Sequence, residues 1–394
     1  MTTPHEIVSE WVHVEYPETG GFREVYGFAG GQGIVHLEGI RYTPKDRPSR
    51  TLVVYMHPAS TLQLLPIPRA MAESGMHVLC AASRYARNDT PLIMEKVVLD
   101  LGAYIRHAKE VWKYETIVLA GWSGGGSLAL FYQAQSERPT ITETPAGDPV
   151  DIPGAGLLPA DAVLFHAAHS SRARILCEWI DPSVRNEDDP DNRDDRDMEL
   201  DLYHPRNPNK PPYEADFIEH FRAAQLDRIH KRTAWVKESL ERLRKKGGNE
   251  KERGFVTHRT MADPRFLDAR LEPNDREIGT SYLGIPETVN NGPVGLARFS
   301  TLRAWLSQWS VDDSNADGER SAAAISVPLL VIENTADDAI PSAHLGRIYR
   351  AAGSVDKSYE SIQGATHYYV GQPELLSRAV NMSLEWIRNR NLWD

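Results

Sequence analysis

Residues 116–125 read TIVLAGWSGG, and their reading decides how this chain folds. Residues 116–120 are β-branched and apolar, the mark of a buried strand. Gly121-Trp122-Ser123-Gly124-Gly125 follows, and a helix is expected from near Ser127. A G-x-S-x-G turn between a strand and a helix sets the serine on a sharp, strained bend with its hydroxyl projecting above the sheet. Side chains at the flanking positions would collide with the adjoining strand and helix. The N–H of Gly124 can then face a developing oxyanion. An incidental serine in a glycine-rich turn is the plainer reading, and the strand before it and helix after it argue against that.

Outward from this turn, strand and helix alternate. Strands are expected over 51–56 (TLVVYM), 76–82 (MHVLCAA), 160–165 (ADAVLF), 327–333 (VPLLVIE) and 357–362. Helices are expected over 66–75, 91–112, 341–351 and 373–388, with apolar residues such as Leu92, Val97, Leu101 and Ile105 at helical spacing. Residues 11–44 alternate and carry Gly20-Gly21, Gly30-Gly31 and Gly33, which reads as short antiparallel strands with tight turns. The alternation predicts an α/β protein with a mainly parallel sheet covered on both faces.

The pattern breaks between about residues 167 and 300. Residues 181–201 are dense in Asp and Glu, 204–213 (HPRNPNKPPY) are proline-rich, and 214–246 read as a helix with pairs such as Lys237–Glu241 and Glu241–Lys245. The expected organisation is a core in two parts, 1–166 and 301–394, with 167–300 inserted as a mainly helical lid. The acidic run lacks the glycine and distal glutamate of an EF-hand, so a solvated loop is expected there rather than a calcium site. The aromatic stretch 292–309 is read as core or lid packing.

At this point the sequence resembles the α/β-hydrolase superfamily, whose triad runs nucleophile, acid, histidine along the chain. The resemblance implies Ser123 as nucleophile. It implies an acid in the loop 334–341 (NTADDAIP), where Asp337 stands four residues before Pro341 and Asp338 is the rival. It implies His367, in Gly364-Ala365-Thr366-His367-Tyr368, as the base. A second oxyanion donor, beside Gly124, is implied in the loop His57-Pro58-Ala59-Ser60-Thr61. The family often has His-Gly there. Pro58 has no N–H to donate, which leaves Ala59 or, as second choice, Ser60. His57, Trp122, His166 and His169 are candidates for the substrate pocket, with packing the competing role for the histidines. The loop 83–89, with Arg84, is read as a structural anchor.

The implied function is hydrolysis of a carboxylic ester, lactone or thioester of a small molecule through an acyl-enzyme, with no metal or organic cofactor. A serine nucleophile argues against the family's aspartate-dependent dehalogenases and epoxide hydrolases and its cysteine-dependent dienelactone hydrolases. Acyl transfer by the same site, and a non-catalytic ligand-binding protein of the same fold, are the alternatives. With 394 residues, 41% hydrophobic and 25% charged, the chain is long enough for a sizeable core and is not disordered as a whole. A net charge of −11 argues against a general nucleic-acid footprint. Two cysteines far apart, no secretory pattern at the N-terminus and no apolar run long enough to span a bilayer make the cytoplasm the expected location. Oligomeric state is left open, a homo-oligomer being admissible.

Overall fold

The computed structural model describes residues 4–18, 33–187 and 195–393. The glycine pairs at 20–21 and 30–31, and part of the acidic run, lie outside the described residues. Eight of the strands form one sheet: β1 (Ile7–Pro17), β2 (Ile34–Pro44), β3 (Thr51–His57), β4 (His77–Ala82), β5 (Thr116–Ser123), β6 (Ala162–Ala168), β9 (Leu329–Asn334) and β10 (Lys357–Ile362). Strands β7 (Gly254–Val256) and β8 (Phe299–Thr301) make a separate antiparallel pair. The large sheet runs β1-β2-β4-β3-β5-β6-β9-β10. Only β1–β2 and β2–β4 are antiparallel; every other pairing is parallel.

The parallel strands β3, β5, β6 and β9 are central and buried on both faces, which is why they read as continuous apolar runs. Their side chains still alternate. Val54, Met56, Leu119, Val163 and Val331 face one layer, built from α2 (Met94–Glu110), α3 (Gly124–Glu137), α8 (Gly318–Ala324) and α9 (Ser342–Ala351). Val53, Tyr55, Val118, Leu164 and Ile332 face the other, built from α1 (Pro66–Glu73) and α10 (Pro373–Arg388). Each such fully buried side chain contributes about 1.5–3 kcal/mol relative to exposure.

Between β6 and β9 lie α4 (Arg172–Trp179), α5 (Ala215–Lys246), α6 (Pro286–Asn291), α7 (Leu302–Gln308) and α8. The 32-residue α5 packs Ile229, Val236, Leu240 and Leu243 against Leu302, Trp305 and Trp309, and both tryptophans are fully buried. The stretch 292–309 is therefore packing, as expected, and one apolar cluster joins α5 to Leu302, Trp305 and Trp309. Two expectations change. Lys237 pairs with Asp313 at 2.7 Å rather than with Glu241, because α5 docks its flank on the turn after α7. The acidic stretch is not simply solvated: Asp181 and Asp201 are buried, and each accepts from Arg259 at 2.7 Å. Asn290 and Ser183 also donate to Asp181. Burial alone would raise the Asp181 carboxyl, but Arg259 and these donors hold it below the usual carboxylate value.

Removing one member of such a buried group strands the others. Arg259→Met leaves buried Asp181 without its cation and Asp201 with Arg196 alone, and is expected to lower stability by roughly 3–5 kcal/mol. Urea denaturation measures this, and a loss under about 1 kcal/mol would refute the assignment.

Candidate active site

Strand β5 runs straight into α3 with no intervening loop. The helix begins at Gly124, three residues earlier than expected, because Ser123 alone makes the turn at φ 55°, ψ −124°. A non-glycine residue in such a conformation costs of order 1–3 kcal/mol and persists only where its surroundings enforce it. They do so by close approach. A Cβ on Gly121 would lie 2.4 Å from the Gly126 Cα, and one on Gly125 would lie 2.4 Å from the Met56 carbonyl of β3. The neighbouring strand adapts as well. The β5–β6 register shifts between Trp122 and Ser123, and Ala167 of β6 takes φ 43°, a bulge of the kind that re-aims side chains.

The acid and base loops leave the ends of β9 and β10 on the same side of the sheet. Asp337 Oδ2 lies 2.7 Å from His367 Nδ1, and both residues are buried. The other carboxylate oxygen, Oδ1, accepts the N–H groups of Ala339 and Ile340, each at 2.8 Å. Asp337 is thus the carboxylate on the histidine. Asp338 is half-buried, and burial followed by the neighbouring Asp337 charge raises its carboxyl above the ordinary value. Trp122, beside the serine, donates its Nε1–H to the His367 carbonyl at 3.3 Å and packs its ring 4.3 Å from the imidazole. The serine turn and the histidine loop are locked together through that residue. Tyr368 stands edge-on to the same imidazole at 4.8 Å.

Strand β3 ends at His57, which is 8% exposed. Its Nδ1 accepts the N–H groups of Ala59 at 3.1 Å and Ser60 at 2.8 Å. The Ala59 N–H is therefore turned onto the imidazole. His166 accepts or donates at Nε2 to Asn334 (3.2 Å) and Tyr369 (2.8 Å), a network that also ties Asn334 Nδ2 to the Thr366 carbonyl. It braces the acid loop against the base loop. His169 is buried with Nδ1 unpartnered. Burial lowers all three histidines, His166 to about 4 and the other two well below their ordinary value. Arg172 adds to this effect on His57, as do His344 and then Arg172 on His169.

Several neighbours of the site gave no signal in the sequence. Asp275, from the insertion, accepts from the Thr335 hydroxyl and from the Gly364 N–H, joining the acid and base loops from above. Tyr282, also from the insertion, lies edge-on to His367 at 6.4 Å. Arg172, buried at the start of α4, pairs with Asp89 at 2.6 Å and lies over the Trp309 ring. By contrast Arg84 is an anchor, as expected: it binds Asp100, Glu18 and the Tyr16 hydroxyl. Among the described residues one group could hold a metal, His13, Glu15 and His36 on the outer β1–β2 hairpin, apart from the serine turn. No helix among them is long and apolar enough to cross a membrane.

No protein-family profile matches the sequence, and no curated protein matches it. Solved structures do. The chain is similar to DcsB, solved in complex with its substrate analogue, at 13% identity over 97% of this chain and 99% of that one, with a TM-score of 0.51. It is similar to a monoacylglycerol lipase of Paleococcus ferrophilus at 13% identity, over 90% and 98% of the two chains, with a TM-score of 0.46. It is similar to Est1E of Butyrivibrio proteoclasticus at 14% identity, over 90% and 96%, also with a TM-score of 0.46. The strand order, the strained serine turn between β5 and α3, and the succession of serine, acid and histidine along the chain identify this as an α/β-hydrolase fold.

Proposed function

We propose that this protein is a serine hydrolase that cleaves a carboxylic ester, lactone or thioester of a small molecule through an acyl-enzyme. The observation that carries the reading is the buried Asp337–His367 pair, held by Trp122 against the turn that presents Ser123. Asp337 accepts from Nδ1–H and so fixes the imidazole with Nε2 free to act as base. Ser123 Oγ attacks the carbonyl carbon as its proton passes to His367 Nε2. The carbonyl oxygen becomes an oxyanion facing the Gly124 N–H at the start of α3. The tetrahedral intermediate then collapses: the bond to the alcohol, or thiol, oxygen or sulfur breaks, and His367 returns the proton to that leaving group. Water repeats the sequence and frees the acid and Ser123. Every proton in the cycle is carried by His367, so the reaction calls for no metal or organic cofactor.

A series of p-nitrophenyl esters from acetate to decanoate tests the reading. Wild type is expected to turn over at least one ester, and Ser123→Ala to lose roughly 10⁴-fold or more in kcat. Failure of every ester, together with no labelling of Ser123 by a fluorophosphonate, would refute it. The acid is tested separately. Asp337→Asn should cost roughly 10⁴-fold in kcat by favouring the wrong imidazole tautomer, whereas Asp338→Asn should stay close to wild type. The reverse ranking would overturn the assignment.

The other histidines of the site set a floor on working pH. His57, His166 and His169 have folded values depressed below that of an unfolded histidine, about 6.5. The unfolded chain therefore binds protons at these positions before the folded one does. Their contribution to stability is full above pH ~6.5 and is lost as pH falls toward the folded values. Denaturation curves between pH 7 and 5 should show stability falling with a net uptake of protons on unfolding, to which His77, His107 and His344, also lowered by burial, add. A flat profile over that range would contradict it.

A further inference from the structure

The loop after β3 is built around the ring of His57 rather than around a backbone donor. Its N–H groups at Ala59 and Ser60 both point to His57 Nδ1. Its carbonyls are also fixed: Ser83 Oγ donates to that of Pro58, and the Arg87 N–H to that of Ala59 at 2.6 Å. An Nδ1 that accepts two N–H groups carries no proton. A neutral imidazole has one N–H, so here it is on Nε2. That Nε2–H has no hydrogen-bond partner among the described residues, on a side chain more than nine-tenths buried.

The Nε2 end of the ring faces the serine turn. A Cβ on Gly124 would lie 2.6 Å from His57 Nε2, with Cδ2 and Cε1 each at 3.3 Å. Glycine at 124 is what lets the imidazole come this close. The Gly124 N–H opens α3 and has no acceptor within the helix. Among the described residues, two N–H donors without partners thus stand side by side next to Ser123.

We infer that His57 is a catalytic residue, a neutral imidazole whose Nε2–H, together with the Gly124 N–H, forms the oxyanion hole in place of the Ala59 backbone. The inference rests on the serine-hydrolase reading and deepens it. Burial beside Arg172 favours the neutral ring, so the donor keeps the same tautomer while His367 shuttles protons. No proton leaves His57 in the cycle: it donates one hydrogen bond to the oxygen as negative charge forms and loses it as the carbonyl returns.

The test compares wild type, His57→Phe and His57→Gln on the best p-nitrophenyl ester, with Ser123→Ala as the blank and thermal denaturation as the check on folding. His57→Phe should lower kcat by roughly 10²–10³-fold with little change in KM. His57→Gln places an amide N–H where Nε2–H stands and should recover at least tenfold of that loss. In the wild type itself, ¹⁵N-histidine spectra should show His57 protonated at Nε2 alone, and that resonance should move when phenylboronic acid forms its tetrahedral adduct. A His57→Phe enzyme within threefold of wild type, or an Nε2 signal unmoved by the boronate, would overturn the inference while leaving Ser123-dependent turnover intact. Absence of Ser123-dependent turnover in the wild type would instead overturn the hydrolase reading, and this inference with it.

Discussion

The constraint on which the rest depends is the strained backbone of Ser123. A residue at φ 55°, ψ −124° is held there only because β5, α3 and β3 approach within contact of bare glycine backbones. The parallel sheet provides the rigidity for this. Its four central strands are buried on both faces and sandwiched by two helical layers, so the turn cannot relax without parting the core. The same turn starts α3 at once, which brings the first free N–H of the helix next to the serine hydroxyl. On the proposed reading, strain, nucleophile and anion site therefore have one structural cause.

Around this turn the chemistry is divided among histidines by their hydrogen bonds. His367 has the Asp337 carboxylate on Nδ1, an acceptor that fixes the ring's orientation. His57 has two N–H donors on its Nδ1, and a protonated ring would have no place for them. His166 sits in a neutral net of Asn334 and Tyr369. The three rings lie in one region and have the same intrinsic chemistry. His367 differs from the other two in having an acceptor, the Asp337 carboxylate, at Nδ1; His57 has donors there, and His166 is held through Nε2.

How much of this could be read from the sequence depended on distance along the chain. The serine turn is local: strand, glycines and helix occupy a dozen consecutive residues, and their steric logic is written there. The sheet was legible for the same reason, since burial on both faces leaves continuous apolar runs. The choice between Asp337 and Asp338 was weighted by spacing to Pro341, but only the loop's course puts Asp337 Oδ2 on the imidazole. Between β6 and β9 the sequence showed a break in pattern and no further detail. Asp275 and Tyr282 reach the site from segments with no periodicity, and the buried role of Asp181 and Asp201 is set by Arg259, some sixty to eighty residues away. Charge density alone reads such residues as solvated.

Pro58 connects these points. A glycine after His57 would leave the loop free to turn a backbone N–H toward the serine. Proline removes that donor and fixes φ near −65°. The next two N–H groups are then taken up by His57 Nδ1, which satisfies them away from water and also dictates which ring nitrogen carries the proton. The departure from His-Gly thus does not merely subtract a donor from the loop. It moves the donor from the backbone to a side chain, and Gly124, by lacking a Cβ, is the complementary change that gives the ring room.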